Sequence, residues 1–434
     1  MMLRRTQAQG CHVLVGTPGR LRDLLEDPYS GVAAPKLAAF VLDEADRLLD
    51  QGFLPEIEAI MDQLPNPRET PRQTMMFSAT IPADVISLVR RMLKPGFQYV
   101  KCIRDNEVPT HERVPQKVVG INGLENRLPA ILELCQREIE AAQTGKGRPF
   151  KALIFFNSTA EVSTAAASFR NLRANTANHP LYPAKVLEIH AKLTQAQRTR
   201  TSDHFKNASS AILFSSDVTA RGMDFPNVTH VIQAGMPRTR DQYIHRIGRT
   251  GRAGKEGEGW LLISPIEHGE THNMLRGLPL VRDDSLTTAK VDMTKPAQLA
   301  AQTARVLTDI SEATKFIDQT DLTKAYLALF GTFQWARSKH QLVDAMNRLA
   351  RFGWGLERPP VVPPVLAQKL GLARIPGLNI GNPMNSLDGR PHFADRSSSR
   401  GSSKSWDWSQ NERNSGESSS SRLRSRSGRS QSFR

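Results

Sequence analysis

Short apolar runs alternate with helical patterns between about residues 10 and 265, and this alternation limits the possible folds more than any other feature of the sequence. The runs Ala152–Phe156 and Ala211–Phe214 are too short for helices, whereas Leu128–Ala142 has the spacing of an amphipathic helix. Strands that alternate with helices at this spacing pack into a parallel sheet covered by helices. The sequence therefore predicts an α/β fold.

The pattern changes along the chain and divides it into segments. Alternating strands and helices are predicted in residues 1–103 and again in 117–275, so each segment is expected to form its own parallel sheet. Residues 104–116 are polar and predict an interdomain linker. Residues 276–380 have helical periodicity without strands, and residues 381–434 are rich in Ser and Arg, poor in apolar residues and predicted to be disordered.

The charge of the chain points to a polyanionic partner. The formal net charge is +15 at pH 7, and such an excess is typical of proteins that bind nucleic acid. A soluble basic protein without this partner is the alternative. We expect the Ser/Arg-rich tail to bind RNA loosely through its charge.

Composition also excludes several classes of protein. The three cysteines are scattered and odd in number, so they form neither a disulfide framework nor a metal-ligand pattern. No apolar run approaches the ~18 residues of a transmembrane helix, and the first residues lack the apolar stretch of a secretory signal. We expect a reducing compartment and no membrane.

An acidic group follows the apolar run Ala38–Leu42. Asp43, Glu44 and Asp46 stand at the end of this predicted strand, and α/β sheets bind ligands at the carboxyl ends of their strands. Mg²⁺ is usually held by one or two carboxylates together with phosphate oxygens. The group is a candidate Mg²⁺ and phosphate site. An acidic strand-to-helix turn, with Asp43 as a helix cap, explains these residues equally well.

The first segment begins and ends with further predicted strands. The run His12–Val15 predicts a strand, and Thr17 and Arg20 in the turn after it could hold a phosphate. An ordinary strand-to-helix turn is the simpler interpretation of that turn. The pair Tyr99–Val100 predicts a last strand before the linker.

Polar side chains also follow other predicted strands. Ser78 and Thr80 follow one strand, and Ser216 follows Ala211–Phe214. Gln195 and Arg198 are three residues apart and share one face of a predicted helix. That face suits phosphate and ribose, and a solvated surface is the alternative.

Three arginines stand close together near the end of the second segment. Arg246 and Arg249 share one side of a predicted helix, and the glycines between them and Arg252 let Arg252 turn back toward them. Arginines presented across a cleft to a γ-phosphate stabilise charge during phosphoryl transfer. The arginines are therefore a candidate phosphoryl-transfer site.

The turn Ala142–Arg148 looks like a phosphate-binding loop but does not fit one. Arg148 occupies the position of the essential lysine, and Pro149 occupies that of the Mg²⁺-binding hydroxyl. The turn also follows a predicted helix and precedes a strand, whereas a phosphate loop follows a strand and opens a helix. The sequence contains no other pattern of this type.

Taken in order, these motifs resemble those of the DEAD-box RNA helicases over about residues 10 to 265. The matching segments are Thr17–Arg20, Asp43–Asp46, Ser78–Thr80, Phe155–Phe156, Gln195–Arg198, Ala220–Asp224 and His245–Arg252. The helical extension and the basic tail are similar to those of fungal mitochondrial DEAD-box helicases, which act as RNA chaperones in group intron splicing.

The resemblance implies an ATP-dependent RNA helicase or RNA chaperone. It implies two RecA-like domains, the first of them incomplete, that close on ATP and single-stranded RNA. Asp43 would hold Mg²⁺ through water, Glu44 would position and deprotonate the attacking water, and Asp46 would link to the partner domain. Ser78 and Thr80 would couple hydrolysis to strand separation.

The resemblance also assigns roles in the second domain. Asp224 would contact the ATP ribose, and Arg249 and Arg252 would be arginine fingers. His245 and Arg246 would bridge to the first domain. The residues expected to touch the RNA backbone, independently of base sequence, are Thr17, Arg20, Gln195, Arg198 and Ser216, which stands where the family usually has Thr. A monomer is expected.

The chain departs from the family in one respect. The family's Q motif, phosphate loop and first RNA motif precede the position of Thr17, and this sequence does not contain them. An incomplete copy of a working helicase is one interpretation, and a nonenzymatic RNA-binding protein is the other. A third interpretation is a related DEAD-box protein that acts in translation or ribosome biogenesis. The mitochondrial matrix is the expected compartment, with nucleus or cytoplasm as alternatives.

We expect this chain to hydrolyse ATP at no appreciable rate, because the lysine that grips the β- and γ-phosphates is missing. An ATP-turnover assay on the purified chain tests this. Turnover that the Glu44→Gln substitution abolishes would refute it.

Overall fold

The computed structural model describes residues 10–50, 52–78, 81, 83–102, 113–172, 179–220, 222–252 and 255–381. These residues form two parallel sheets with flanking helices, followed by a helical region. The predicted α/β fold class is therefore confirmed. Residues 382–434 of the predicted tail, and most of the predicted linker, lie outside the described residues.

The first domain has a two-stranded sheet among the described residues. Strands β1 (Ala39–Leu42) and β2 (Gln73–Met76) run parallel. The helices are α1 (Pro18–Glu26), α2 (Ala45–Asp50), α3 (Leu54–Gln63) and α4 (Ala83–Met92). A small core joins β1 to α2, α3 and α4 through Leu42, Ala45, Ile57 and Leu88.

The predicted strands at His12–Val15 and Tyr99–Val100 are wrong. Both stretches are irregular, and the side chains of Val15 and Val100 are exposed. A strand needs a neighbour to pair with its backbone N–H and C=O groups. Among the described residues neither stretch has such a neighbour.

The second domain is built around a larger sheet. Its strands are β3 (Gln116–Gly120), β4 (Lys151–Phe155), β5 (Lys185–Ile189), β6 (Ala211–Ser215), β7 (His230–Ala234), β8 (Glu258–Ile263) and β9 (Leu280–Arg282). Its helices are α5 (Arg127–Gln143), α6 (Thr159–Arg170), α7 (Gln195–Asn207), α8 (Arg240–Ile247) and α9 (His268–Met274). The strands are all parallel, in the order β5-β6-β4-β7-β8-β3-β9.

The central strands of this sheet are buried on both faces. Every residue of β4, β6 and β7 is buried. On one face α5 and α6 contribute Ile131 and Phe169 to the core. On the other face α7 and α8 contribute Phe205 and Tyr243. The continuous apolar runs in the sequence reflect this two-sided burial.

At one edge of the second sheet, the strands differ from those predicted. Strand β9 lies in the region predicted to be helical without strands, and it pairs with β3. Its three residues are too few to produce a recognisable alternation of apolar and polar positions. Strand β3 begins at Gln116, which falls inside the predicted linker.

The helical extension continues the second domain. It contains α10 (Ala301–Lys315), α11 (Gln319–Thr332), α12 (Lys339–Arg348), a π-helical turn (Leu349–Gly353) and α13 (Pro364–Lys369). Val306 and Ile310 of α10 join the core formed by α5 and α6. The later helices surround a second core that includes Tyr326 and Phe330. Within the described residues no helix is long and apolar enough to cross a bilayer.

An ion pair joins the extension to the second domain. Glu125 lies in a 3₁₀ turn (Leu124–Asn126), and its side chain is fully buried. Its Oε1 accepts hydrogen bonds from Nε and Nη2 of Arg348, at the end of α12. Gly353 packs so closely on this turn that an added Cβ would lie 3.2 Å from the Glu125 Cα. Because a buried carboxylate is costly without a cation, the pair holds α12 on the second domain.

We expect Arg348→Ala to lower the free energy of unfolding by about 3 kcal/mol, because it leaves the buried Glu125 carboxylate without its cation. Urea unfolding followed by tryptophan fluorescence measures the change. Arg305→Ala, which removes an exposed pair with Asp309 on α10, is the control and should cost less than about 0.5 kcal/mol. Equal losses in both variants would contradict the role of the Glu125 pair.

Candidate functional site

The predicted acidic group forms a tight loop between β1 and α2. Asp43 follows the last residue of β1, and Ala45 begins α2. Between them Glu44 has a left-handed backbone with φ 50°, and its N–H donates to Asp43 Oδ1 at 3.0 Å. The side chain of Asp43 is exposed, that of Glu44 is half-buried and that of Asp46 is buried. The loop therefore presents its first two carboxylates beyond the carboxyl end of β1.

The end of β2 is hydrogen-bonded directly to this loop. The Phe77 N–H donates to the Leu42 carbonyl at 2.8 Å, and the Ala45 N–H donates to the Phe77 carbonyl at 3.0 Å. Ser78 follows immediately and is half-buried. Thr80, the other predicted coupling hydroxyl, lies outside the described residues. The backbone thus connects the segment that contains Ser78 to the acidic loop.

A buried contact connects the acidic loop to the second domain. The distance between His245 Nε2 and Asp46 Oδ2 is 2.9 Å, and both side chains are buried. His245 belongs to α8 of the second domain, and Asp46 belongs to α2 of the first. The structure therefore brings together two residues, each of which was expected to contact the other domain.

Among the described residues, the hydrogen bonds of Arg246 all lie within the second domain, and its expected bridge to the first domain stays a prediction. Its side chain is fully buried within the second domain. Its guanidinium donates to Asp217 at 2.9 Å, to Asn157 at 3.0 Å and to Gln233 at 3.5 Å. Arg246 thus fastens α8 to the carboxyl ends of β4 and β6 and to β7.

The three partners of Arg246 were missed as functional candidates. Asn157 and Asp217 each stand just beyond the end of a strand, the position at which other candidates were recognised. Gln233 is a fully buried polar residue inside the apolar strand β7. A polar residue in a buried strand needs a hydrogen-bonding partner, and this signal could have identified it.

Arg249 and Arg252 are held at the end of α8 by backbone carbonyls. Arg249 donates to the carbonyls of His245 (3.3 Å) and Met223 (2.7 Å). Arg252 donates to the Gly248 carbonyl at 2.8 Å and forms a 2.8 Å ion pair with Asp224. The Asp224 side chain is 79% exposed. The structure therefore brings Asp224 and Arg252 together, and places both arginines in the segment that directly follows the helix that carries His245.

The residues predicted to contact RNA lie at two places. Gln195 and Arg198 are in the first turns of α7, which follows β5, and Ser216 directly follows the neighbouring strand β6. These three therefore share the carboxyl edge of the second sheet. In the first domain, Thr17 precedes α1 and Arg20 lies in its first turn, and both side chains are exposed.

The acidic loop suits Mg²⁺. Among the described residues no three Asp, Glu, His or Cys side chains converge as a metal site. Asp43, however, is exposed and engages only Oδ1 in the hydrogen bond with Glu44. One carboxylate completed by phosphate and water oxygens is a usual arrangement for Mg²⁺. The donor set fits this ion when it is bound with a phosphorylated ligand.

Two family profiles match the two domains. Residues 1–88 match the profile described as DEAD/DEAH box helicase, and residues 131–254 match the helicase conserved C-terminal domain. The chain belongs to the DEAD-box RNA helicase family. The two parallel-sheet domains are therefore RecA-like helicase domains.

Individual relatives support this assignment. The mitochondrial ATP-dependent RNA helicase mss116 of Aspergillus fumigatus is 48% identical over 430 residues, which are 98% of this chain and 65% of the relative. Mitochondrial cyt-19 of Neurospora crassa is 45% identical over 388 residues, 89% of this chain and 60% of the relative. The chain thus spans less than two thirds of these DEAD-box proteins.

A solved structure has the same arrangement of elements. Mss116p with its NTE and C-tail deleted, bound to ssRNA and AMP-PNP, superposes with a TM-score of 0.69 at 28% identity. The match covers 86% of this chain and 71% of that protein. It therefore includes most of the described DEAD-box domains and extension.

We expect Asp46→Ala to reduce the population in which the two domains touch by about tenfold, because it removes a buried hydrogen bond between them. Single-molecule FRET between dyes on the two domains measures this population. Asp62→Ala, an exposed change on α3, should leave it unaltered. A closed population equal in all three proteins would contradict the role of the Asp46–His245 contact.

Proposed function

We propose that this protein is an ATP-dependent RNA helicase and RNA chaperone that separates short RNA duplexes locally. Family membership supports the reaction class. The observation that carries the proposal is the buried contact between His245 and Asp46. This contact places α8, which Arg249 and Arg252 follow in the sequence, next to the acidic loop. ATP and Mg²⁺ are the proposed cofactors.

In this proposal the acidic loop prepares the attacking water. Asp43 would hold Mg²⁺, which would supply positive charge beside the phosphates when bound. Glu44 orients the water and accepts its proton as the water attacks the γ-phosphate. The left-handed turn at Glu44 places the carboxylates of Asp43 and Glu44 beyond the carboxyl end of β1.

The second domain supplies positive charge to the same reaction. Arg249 and Arg252 stabilise negative charge on the transferring phosphoryl group, as arginine fingers do. The hydrogen bonds to backbone carbonyls hold both guanidiniums in place before the ligand arrives. Asp224, whose side chain is exposed, contacts the ribose while its Oδ1 stays paired with Arg252.

Coupling to RNA follows from the connections around the acidic loop. The backbone bonds of Phe77 transmit movement of the loop to Ser78, and we propose the same route for Thr80. Residues on both domains contact the RNA backbone without reading bases: Thr17, Arg20, Gln195, Arg198 and Ser216. Because they lie on two domains, a change in the domain arrangement bends or releases the strand.

The location and pathway are proposed from the relatives. Those at 48% and 45% identity are named as mitochondrial helicases, so we propose that this protein acts in the mitochondrial matrix, on intron RNA. It acts there as a monomer without membrane contact. The excess of basic residues, with a formal charge of +15, favours sequence-independent binding of RNA.

RNA-stimulated ATP turnover and unwinding of a short duplex test the proposal. The sequence contains no phosphate loop, so the assay uses a chimera. In it, a first-domain segment with a phosphate loop, taken from a DEAD-box helicase, is fused ahead of residue 10. We expect Glu44→Gln to lower kcat by at least about 100-fold, because a positioned general base contributes about 10²–10⁴-fold. RNA affinity should change little, since Glu44 is not among the RNA contacts.

Glu69→Gln is the matched control, because Glu69 is exposed and lies between α3 and β2, away from the acidic loop. It should retain the activity of the parent chimera. Loss of RNA binding together with turnover in Glu44→Gln would indicate misfolding. If the chimera binds RNA and ATP but does not hydrolyse ATP, the helicase proposal fails. RNA binding without catalysis then remains as the function of these domains.

A further inference from the structure

The turn between α5 and β4 has no role in the proposed reaction. Gly145–Arg148 follows a helix and precedes a strand, as the sequence predicted, and Gly145 has a left-handed φ of 74°. The turn lies at the amino ends of the strands. The candidate catalytic and RNA-binding residues of the second domain lie at or near the opposite, carboxyl ends.

A cleft of about 800 Å³ opens beside this turn. We call it the linker cleft, because one side of it is lined by Arg113–Pro115, the part of the predicted linker that directly precedes β3. The turn Gly145–Arg148 lines another side. Lys255–Glu258, the segment that leads from the arginine fingers into β8, lines a third. The volume is within the ~300–1,000 Å³ typical of small-ligand pockets.

Four cationic side chains line the linker cleft, and three of them have no carboxylate partner among the described residues. Lys146 is exposed, and the structure gives its ammonium neither a hydrogen bond nor an ion pair. Lys255 donates to the neutral amide oxygen of Asn227 at 2.6 Å. Arg148 donates to the backbone carbonyl of Glu256. Arg113 is the fourth cation.

Most of the negative charge in the cleft is already compensated. Glu258 accepts a hydrogen bond from Lys117 at 2.9 Å, and Glu138 accepts one from Arg137 at 3.1 Å. Glu256 is the third carboxylate of the lining. Lys146, Arg148 and Lys255 therefore face a single carboxylate outside these pairs, that of Glu256, and the cleft has an excess of positive charge.

A buried histidine lies at the base of the cleft. His230, the first residue of β7, is 8% exposed, and among the described residues its Nε2 has no hydrogen-bond partner. Its pKa is lowered from 6.5 to about 4, chiefly by burial and further by the charges of Lys117, Arg137 and Arg148, against the opposing effect of Glu258. Carboxylate oxygens of Glu138 and Glu258 lie 3.7 Å and 3.9 Å from this nitrogen, so an anion is expected at the exposed Lys146, Arg148 and Lys255 and not at His230.

We infer that the linker cleft binds a phosphate-rich anion, either a free polyphosphate or consecutive phosphates of an RNA chain. Lys and Arg side chains recognise phosphate through charge-assisted hydrogen bonds. The Lys255 N–H donates to the Arg252 carbonyl at 3.1 Å, so an anion on Lys255 also steadies the segment that contains an arginine finger. Binding itself does not depend on the proposed catalytic function.

Calorimetric titration with tripolyphosphate at low salt tests the inference on the whole chain. The cleft variant carries Lys146→Ala and Arg148→Ala, both at exposed positions. We expect it to bind tripolyphosphate at least about tenfold more weakly, because each lost charge-assisted contact is worth about 1.5–3 kcal/mol. The control variant carries Lys369→Ala and Arg374→Ala, which remove the same charge at exposed positions of the extension. It should match the parent.

Lys146→Glu provides a second variant. It breaks no contact among the described residues, and it should also weaken the binding of tripolyphosphate. If tripolyphosphate affinity is unchanged in the cleft variants, or falls equally in the control variant, the inference is overturned. Competition with a single-stranded RNA decamer identifies the source of the phosphates. Displacement of tripolyphosphate by RNA supports RNA phosphates, and retention supports a free polyphosphate.

Discussion

The double burial of the second sheet decides where this protein can place polar chemistry. Strands β4, β6 and β7 have helices on both faces, so a charged side chain within them would lose its hydration. Polar residues are therefore displaced to the strand ends, where Asn157 and Ser216 stand. Gln233, a polar residue inside β7, accepts a hydrogen bond from Arg246 at 3.5 Å. The candidate catalytic and RNA-binding residues of the second domain accordingly lie at or near the carboxyl ends of its strands.

Helix α8 links that edge to the first domain through side chains that point different ways. Arg246 points inward and ties the helix to its own sheet, whereas His245 contacts Asp46 of the first domain. A rigidly anchored helix can transmit the position of one domain to the other without deforming. Because Arg249 and Arg252 follow on the same segment, the arginines move with the domain as a unit.

Much of the fold could be predicted from the sequence, because a strand buried on both faces is a continuous apolar run. The runs around Ile154 and Leu213 predicted their strands to within a residue. The run at His12–Val15 is equally apolar and forms no strand, since pairing depends on a neighbour that local sequence does not encode. The direction of Arg246 was missed for a similar reason. Spacing along a helix shows which residues share a face, but not which long side chain turns inward to a buried acceptor.

The positive φ of Glu44 has a consequence beyond the geometry of the loop. A side chain in left-handed backbone costs roughly 1 kcal/mol, which glycine would avoid. The fold alone therefore favours glycine at this position, and the glutamate stands against that preference. Stability and catalysis impose opposite demands on one residue, so a search for more stable variants of this protein would tend to select against its proposed general base.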